Sequence, residues 1–591
     1  MRALSEPSRL AAAVFLLLVV ATIGAFFVAQ RLKQRPPLLR YRSSTEAFSP
    51  NGDAIKDTAS IRFKLIEADD LTVTILDGDG GVVRRVAANR PYPEGLVELE
   101  WDGETGDGLV APEGEYRVRV GLRDEGRTNT LRHRIRLDLT PPRPRIRPVG
   151  GGAPIVIDGN RRSSATAAVA PPAREPVLSV WRTDTAKPRR VVKVLPAAGA
   201  RRGRWDGRIG GRRAPLGTYM ITAEAQDAAG NVGTVPDVLP PAASGRADGG
   251  VGVLIRPIAI TPLLQPVTAG TPARVKVDAA GRRYTWALRG LDGQRVRRGR
   301  SRARRLTIRI PGGAGTAYVL TVRTRFAVAR TVVPVASARP RPVLVVLPVL
   351  TWQGRNDVDD SGDGLPDSLA RDRKTRIARP FARGRLPRGF AEGEARLLAY
   401  LDDQRLRYDL TTDLELARAG GATLGGHSGA ILAGEMRWLP EGLGTRLEEF
   451  VRRGGRVFSI GLDSLHRTMA LGARSMSSPS DRLARDFLGA EVAPPERGPI
   501  DLLAQSDEIN LFAGTAGSLG SWDAWEATTD VGAGRLVATA SVTGEDPVFV
   551  AYRLGRGLVI RAGVGGWARA LDDAISPPAA TTRRIWTLLR R

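Results

Sequence analysis

Residues 101–116 read WDGETGDGLVAPEGEY, and residues 205–219 read WDGRIGGRRAPLGTY. Each is Trp-Asp-Gly, a turn-rich stretch, then Pro-x-Gly-x-Tyr. An alternating run follows each, YRVRV from Tyr116 and YMITAEA from Tyr219. A phrase repeated at the spacing of one small domain indicates duplicated modules. The Trp suits the space between two sheets, the Gly and Pro close a hairpin, and the Tyr opens a strand. The N-terminal half is therefore expected to be a series of β-sandwiches.

Working outward, residues 43–146 form a first sandwich that opens with FSPNGDAIKDTASIRFKL. IRFKL alternates as a strand does, and LTVTILDGDGGVVRRV reads strand, Asp-Gly turn, strand. Asn51, Asp53 and Asp57 are either an Asx-turn that starts the first strand or a weak cation site. A second sandwich is expected over 150–238, ending in AQDAAGNVG. LPPAASGRADGG (239–250) is a linker by composition, and 251–338 alternates as a third sandwich.

FSPNGD followed by WDG and PEGEY resembles the Ig-like module of FlgD-type flagellar hook-capping proteins, over about 100 residues. The resemblance implies a spacer or adhesive scaffold of a bacterial surface protein.

Residues 10–30, LAAAVFLLLVVATIGAFFVAQ, are uncharged and long enough to span a bilayer as a helix. The run is long for a signal-peptide core, and no small-x-small cleavage site follows, so it reads as an uncleaved signal anchor. Arg2 and Arg9 precede it; Arg31, Lys33, Arg35, Arg40 and Arg42 follow. That asymmetry favours a cytoplasmic bulk, whereas the surface-type modules favour an extracytoplasmic one. The expectation is a single-pass protein of the cell membrane with most of the chain outside.

The chain has 89 Lys and Arg against 62 Asp and Glu, a net charge of +27, and no Cys. Disulfides, thiolate metal sites and Cys nucleophiles are excluded. The charge fits either an Arg-rich solvated surface or a polyanionic partner, such as a cell-envelope polymer; another surface protein is the other partner considered. Basic clusters lie at Lys187–Arg190, Arg201–Arg204 and Arg295–Arg305, without the interleaved aromatics of a base-stacking surface, so no specific nucleic acid is expected.

The pattern changes at Pro340. VLVVLPVL (343–350) is a continuous apolar run, EGEARLLAYLDDQ (392–404) has helical spacing, and LRYDLTTD, GAILAG and RVFSIG are strand candidates. LPEGLGTRLEEFVRRGG puts Leu443, Leu447, Phe450 and Val451 on one helical face. PVFVAYRLGRGLVIRAGVG reads as a hairpin, and TTRRIWTLLRR as a closing helix. The alternation predicts an α/β domain over 340–591, with a mostly parallel sheet covered by helices on both faces.

Thr351-Trp352-Gln353, Asn356 and the block from 430 to 461 resemble the C-terminal domain of the large (beta) subunit of N,N-dimethylformamidase, which has a glutamine-amidotransferase-like fold. The resemblance implies amide C–N hydrolysis with an iron held by Tyr and Glu. Where that family has Gly-His-Asp-Glu-Tyr-Trp, this chain has Gly434, Glu435, Met436, Arg437, Trp438 and Leu439. An indole nitrogen cannot replace the Tyr oxygen, so the iron site is not carried over, and without Cys neither is glutaminase chemistry.

Ser464, beside Asp463 and His466 after RVFSIG, is a candidate nucleophile; the alternative is that Asp463 and Ser464 cap the next helix. His427, Glu435, Asp463 and His466 are candidates for one metal site, against isolated loop histidines; His133 falls in a β-module. In NDVDDSGDGLPDSL, Asp359, Ser361, Asp363, Leu365 and Asp367 take positions 1, 3, 5, 7 and 9 of a Ca²⁺ loop, with Gly364 at position 6. Position 12 is Ala370 rather than the bidentate Glu, so calcium would be weak and structural; the alternative is a solvated acidic loop. No activity is fixed by these residues. The leading expectation is a membrane-anchored surface protein whose modules present a non-catalytic C-terminal domain for binding or cell-envelope organisation. The alternative is an amidohydrolase-like enzyme, not Cys-dependent, with a rebuilt site.

Overall fold

The computed structural model describes residues 9–33, 39–160, 163–170, 174–194, 201–240, 242, 249–542 and 544–591. Arg2, Arg35, the Pro36-Pro37 stalk and most of the 239–250 linker lie outside them. Helix Arg9–Lys33 comes first, and its window Ala11–Ala29 is long and apolar enough to cross a membrane, with a mean hydropathy of 2.7. The chain divides into two compact units, Met1–Arg143 with Ala225–Gly233, and Pro144–Glu224 with Thr234–Arg591.

In the first unit a three-stranded sheet (Leu39–Ser44, Ala59–Leu65, Gly95–Trp101) shares one core with a five-stranded sheet (Ala47–Phe48, Arg127–Leu137, Gly114–Leu122, Asp69–Leu76, Val82–Tyr92). Strand Ala59–Leu65 buries every second residue, Ala59, Ile61, Phe63 and Leu65, against the alternating strand Gly114–Leu122. The three larger ones, Ile61, Phe63 and Leu65, each contribute roughly 1.5–3 kcal/mol by leaving water.

The repeated phrase is explained by hydrogen bonds as well as packing. The Trp101 ring lies 4.8 Å from that of Tyr116; its Nε1 donates to Glu104 O at 2.9 Å, and Tyr116 OH donates to Pro112 O. In the second unit Trp205 repeats this: 5.0 Å to Tyr219, Nε1 to Arg208 O at 2.7 Å, and Tyr219 OH to Pro215 O at 2.9 Å. Asp102 and Asp206 each accept the N–H two residues on, closing the turn. Gly103 has φ +81°, and a β-carbon there would press on Pro50. Burial pushes the Tyr219 hydroxyl up to about 12, so it remains a donor throughout the physiological range.

The second unit contains two further pairs of facing sheets. Val251–Ile255, expected to open the third sandwich, belongs instead to the sheet of the second: it pairs parallel with Ile155–Ile157 and antiparallel with Gly217–Gln226. The next pair joins Ala259–Ile260, Pro272–Asp278 and Arg305–Arg309 to a five-stranded sheet ordered Val267–Thr268, Val328–Ala336, Thr316–Arg323, Tyr284–Arg289, Arg295–Ser301.

The expected α/β domain with a mostly parallel sheet is corrected here. Strand accounts for 43% of the structure and helix for 14%, and the C-terminal region is itself β-rich. Its nine-stranded sheet is ordered Asp409–Thr412, Val343–Leu347, Gly429–Leu432, Arg456–Ile460, Gly557–Ala562, Phe549–Leu554, Arg535–Ser541, Glu496–Asp507, Ser518–Trp525. The first four pairings are parallel and the last four antiparallel. The error has a physical cause. A continuous apolar run reports burial on both faces, and Gly557–Ala562, entirely buried, has it while pairing parallel on one side and antiparallel on the other. Glu496–Asp507 and Ser518–Trp525 are partly exposed, with polar alternation and register shifts, and carry no such run.

Candidate functional site

Parallel strands deliver the loops that follow them to the same sheet edge, where ligands bind in many proteins. The loops after Val343–Leu347, Gly429–Leu432, Arg456–Ile460 and Gly557–Ala562 enclose a crevice of about 650 Å³. Thr351, Trp352 and Arg355 come from the first loop, Gly434, Glu435 and Arg437 from the second, Gly461 and Leu462 from the third, and Gly565 to Trp567 from the fourth.

Glu394 lines this crevice at the start of helix Glu394–Asp403, whose Leu397, Leu398 and Leu401 anchor it in the core. Trp352 Nε1 donates to Glu394 Oε1 at 3.2 Å, while Oε2 has no hydrogen-bond partner. The side chain approaches so closely that a β-carbon on Gly434 (φ +99°) would overlap Oε1. Burial pushes the Glu394 carboxyl up to about 7, the bond from Trp352 opposes that, and nearby Glu435 adds to it. Arg388 and Arg497, both exposed, and Arg569 beside Glu392 line the same crevice.

The shift of Glu394 has a testable sign. Its folded value lies above the ordinary 4.5, so between about 4.5 and 7 the folded chain holds a proton that the unfolded chain has released. The contribution is complete below the ordinary value and is lost as pH rises through the folded one. Glu394→Gln keeps the shape and stays neutral. The variant is therefore expected to gain up to about 3 kcal/mol on the parent between pH 4.5 and 8, read from paired melting curves. A pH-independent difference would refute the assignment.

The residues singled out from sequence fare differently. Glu435 lines the crevice, ion-paired to Arg355. Asp463 is a charge hub: it accepts Arg437 and Arg467 at 2.6 Å and Arg482 at 3.2 Å, while its N–H donates to buried Glu526 at 2.7 Å. Burial raises its carboxyl, but the three guanidiniums outweigh that and hold it below the usual range. Ser464 is 1% exposed, and its Oγ accepts Met436 N–H at 3.1 Å. No helix follows it for the pair to cap; the backbone is instead left-handed at Asp463 and Leu465. His466 is fully buried with Nδ1 against Leu483 O, and burial and the Arg561 and Arg482 charges push it down to about 3. It is neutral and does not meet Ser464 among the described hydrogen bonds.

His427 precedes strand Gly429–Leu432, at the opposite end from Glu435, and its Nδ1 lies 2.8 Å from Arg341 O. The four-residue metal set is therefore not assembled. Among the described residues, no group of three or more His, Asp or Glu is placed to hold a metal ion. His133 packs edge-on against Tyr41. Asn51 accepts the Asp53 N–H and Asp53 that of Ile55, two successive Asx-turns, and Asp57 reaches back to accept the N–H groups of Gly52 and Ala54.

The 359–367 loop is likewise satisfied from within. Asp359 accepts Gly362 N and Gly364 N at 2.6 and 2.9 Å, and Asp367 accepts Asp360 N and Ser361 N. Arg373 reaches Asp363, Asp367 and the Ser361 hydroxyl; Arg379 reaches Asp360. Leu365 packs on Met220, Thr183 Oγ1 donates to Gly364 O, and Gly252 N donates to Gly362 O at 2.7 Å. The loop thus docks on the sheet that contains Gly252.

Glu394, Arg388 and Arg497 were not singled out from sequence. EGEARLL signals only a helix, and the surviving clue is Gly434, a glycine straight after a buried strand where a neighbour comes close.

A family model described as the FlgD Ig-like domain matches residues 52–126. No curated protein matches the chain. Among solved structures, FlgD from P. aeruginosa is 22% identical over 17% of this chain and 71% of that one, with a TM-score of 0.13. A β-galactosidase from Bacillus circulans sp. alkalophilus is 16% identical over 32% of this chain and 26% of its own, with a TM-score of 0.24. A tetra-tandem repeat from the extending region of a large adhesion protein is 14% identical over 49% and 73%, with a TM-score of 0.17. The chain thus spans about a quarter of that β-galactosidase. The FlgD Ig-like match covers the first copy of the repeated phrase and stops well before the crevice.

Proposed function

We propose that this is a single-pass membrane-anchored modular protein, its bulk extracytoplasmic, whose C-terminal domain binds a ligand in the strand-end crevice without turning it over. The observation that carries the reading is the commitment of the candidates that stand together in the sequence: Asp463 to three arginines, Ser464 to a backbone N–H, His466 to a buried neutral state. What remains open is recognition chemistry. Arg388 and Arg497 suit a carboxylate or phosphate on the ligand, and Glu394 Oε2 suits a hydrogen-bonding group deeper in. The apolar helix and the FlgD Ig-like module support anchoring and modularity. Calcium is not carried into this reading, because Arg373 and backbone N–H groups already meet the acidic loop.

One observation favours the second reading, hydrolysis of amide-type C–N bonds. A buried carboxyl near 7 in a crevice is what general acid–base catalysis uses. The purified full-length chain in detergent micelles separates the two. The binding reading expects no hydrolysis of small amides above the level of Glu394→Gln. Turnover that disappears in that variant would overturn it in favour of the enzyme. Protease treatment of intact cells tests the orientation: the C-terminal domain is expected to be cleaved, and protection would place it inside.

A further inference from the structure

Half of the chain's net charge lies in one tenth of its length. Residues 271–330 hold sixteen Lys and Arg against two Asp, a net +14 of the total +27. Both aspartates are occupied in turns, Asp278 accepting Ala280 N and Asp292 accepting Gln294 N. A solvated surface that is merely Arg-rich would spread this charge and pair it. Here it converges on a recess of about 580 Å³ lined by Arg283, Arg300, Arg302, Arg323 and Arg325, with no carboxylate in the lining.

The strand register builds the recess. Thr285 is paired with Arg300 on one side and Arg323 on the other, so the two arginines flank it on the face turned away from the core. Neighbouring strands are about 4.8 Å apart, which puts the two arginine backbones about 10 Å from each other, a gap that two side chains of this length can close onto one oxyanion. Ser301 and Thr324 complete the lining. All five arginines are exposed, and no ion pair is described for any of them.

The surroundings narrow the occupant. No large apolar side chain is exposed between Val238 and Leu503 among the described residues, so nothing there would insert into a bilayer. The recess offers no open ring to stack a base: Tyr284, the aromatic residue in its lining, is buried with its hydroxyl on Ala303 O, and Arg213, Arg282 and Arg325 cover neighbouring Phe326. We propose that this recess is a binding site for a linear polyanion that presents repeated oxyanion groups, gripped through phosphate or carboxylate by the five arginines. The site is separate from the crevice and does not depend on it.

The test uses the full-length chain in detergent micelles with two fluorescent probes, inorganic polyphosphate and poly-glutamate. Tight, salt-sensitive binding of at least one is expected at low salt, weakened about 100-fold by Arg300→Glu, Arg302→Glu and Arg323→Glu together. The control, Arg189→Glu with Arg190→Glu and Arg201→Glu, makes the same charge change in another sandwich and is expected to bind nearly as the parent does. The probe bound more tightly identifies the group recognised, phosphate or carboxylate. Absence of binding to both, or equal loss in both variants, would overturn the proposal. An unchanged melting temperature of each variant establishes that it is folded.

Discussion

Arg561→Met is expected to destabilise the second unit by about 3–5 kcal/mol, the range for removing one partner of a buried charge cluster. Arg561 lies on the central strand Gly557–Ala562, with its side chain 3% exposed between Asp486 at 2% and Glu526 at 0%. Its guanidinium donates to Asp486 Oδ2 at 2.9 Å and to Glu526 Oε1. Asp486 also takes Leu488 N–H and Ala490 N–H, and Glu526 takes Asp463 N–H, so neither carboxylate can swing out to water. Methionine would fill much of the volume but leave two negative charges in a site built for one positive one. Burial already raises the Asp486 carboxyl, and Arg561 opposes that; in the variant it rises further. A raised carboxyl contributes stability below its ordinary value and loses it as pH climbs, so the deficit should be larger at pH 8 than at pH 5. Adding Asp486→Asn and Glu526→Gln should restore much of the loss, because the cost lies in orphaned charge more than in a missing attraction. Denaturant midpoints of the three proteins decide this; a loss below about 1 kcal/mol would show the cluster to be solvated.

The same cluster shows where sequence reasoning stops. Asp463, Ser464 and His466 stand close in the chain and so suggested shared chemistry. The partners that determine their roles are remote: Arg437 and Arg482 come from other loops, Glu526 from sixty residues on, and Arg561 from a neighbouring strand. Nothing local announces them. Local patterns that report burial or turn geometry were legible. WDG and PxGxY gave paired sandwiches because the Trp, the turn and the Tyr bond within a few residues of one another. VLVVL, GAIL and RVFSI gave the buried half of the C-terminal sheet, but burial on two faces does not say whether the next strand runs parallel. The crevice was half legible: Glu435 and Trp352 were noted, while Glu394 is identified by a missing partner, which only coordinates reveal.

Trp101→Ala is expected to cost the first unit about 3–5 kcal/mol, more than Trp205→Ala costs the second sandwich. Both indoles are buried, at 1% and 3% exposure, and both make the same bond to a carbonyl three residues on. Their surroundings differ. Trp101 lies between Phe48 at 5.2 Å and Tyr116 at 4.8 Å, two rigid rings that cannot collapse into the space it leaves. Trp205 has Tyr219 at 5.0 Å but is paired across the sheet with Ala165 and follows Gly203 by two residues on its own strand, in a lighter core that closes more readily. A domain with 5–15 kcal/mol in total cannot lose 3–5 without a visible rise in opening. Hydrogen exchange on the full-length chain should therefore quicken across Ala59–Leu65 and Gly114–Leu122 in Trp101→Ala, while Gly557–Ala562, in the other unit, keeps its protection. Tyr116→Phe and Tyr219→Phe remove only the bond to a proline carbonyl and should each cost about 1 kcal/mol. A larger loss at Trp205 than at Trp101, or faster exchange spreading into the C-terminal sheet, would mean that the two copies are not the independent, locally closed modules their bonding describes.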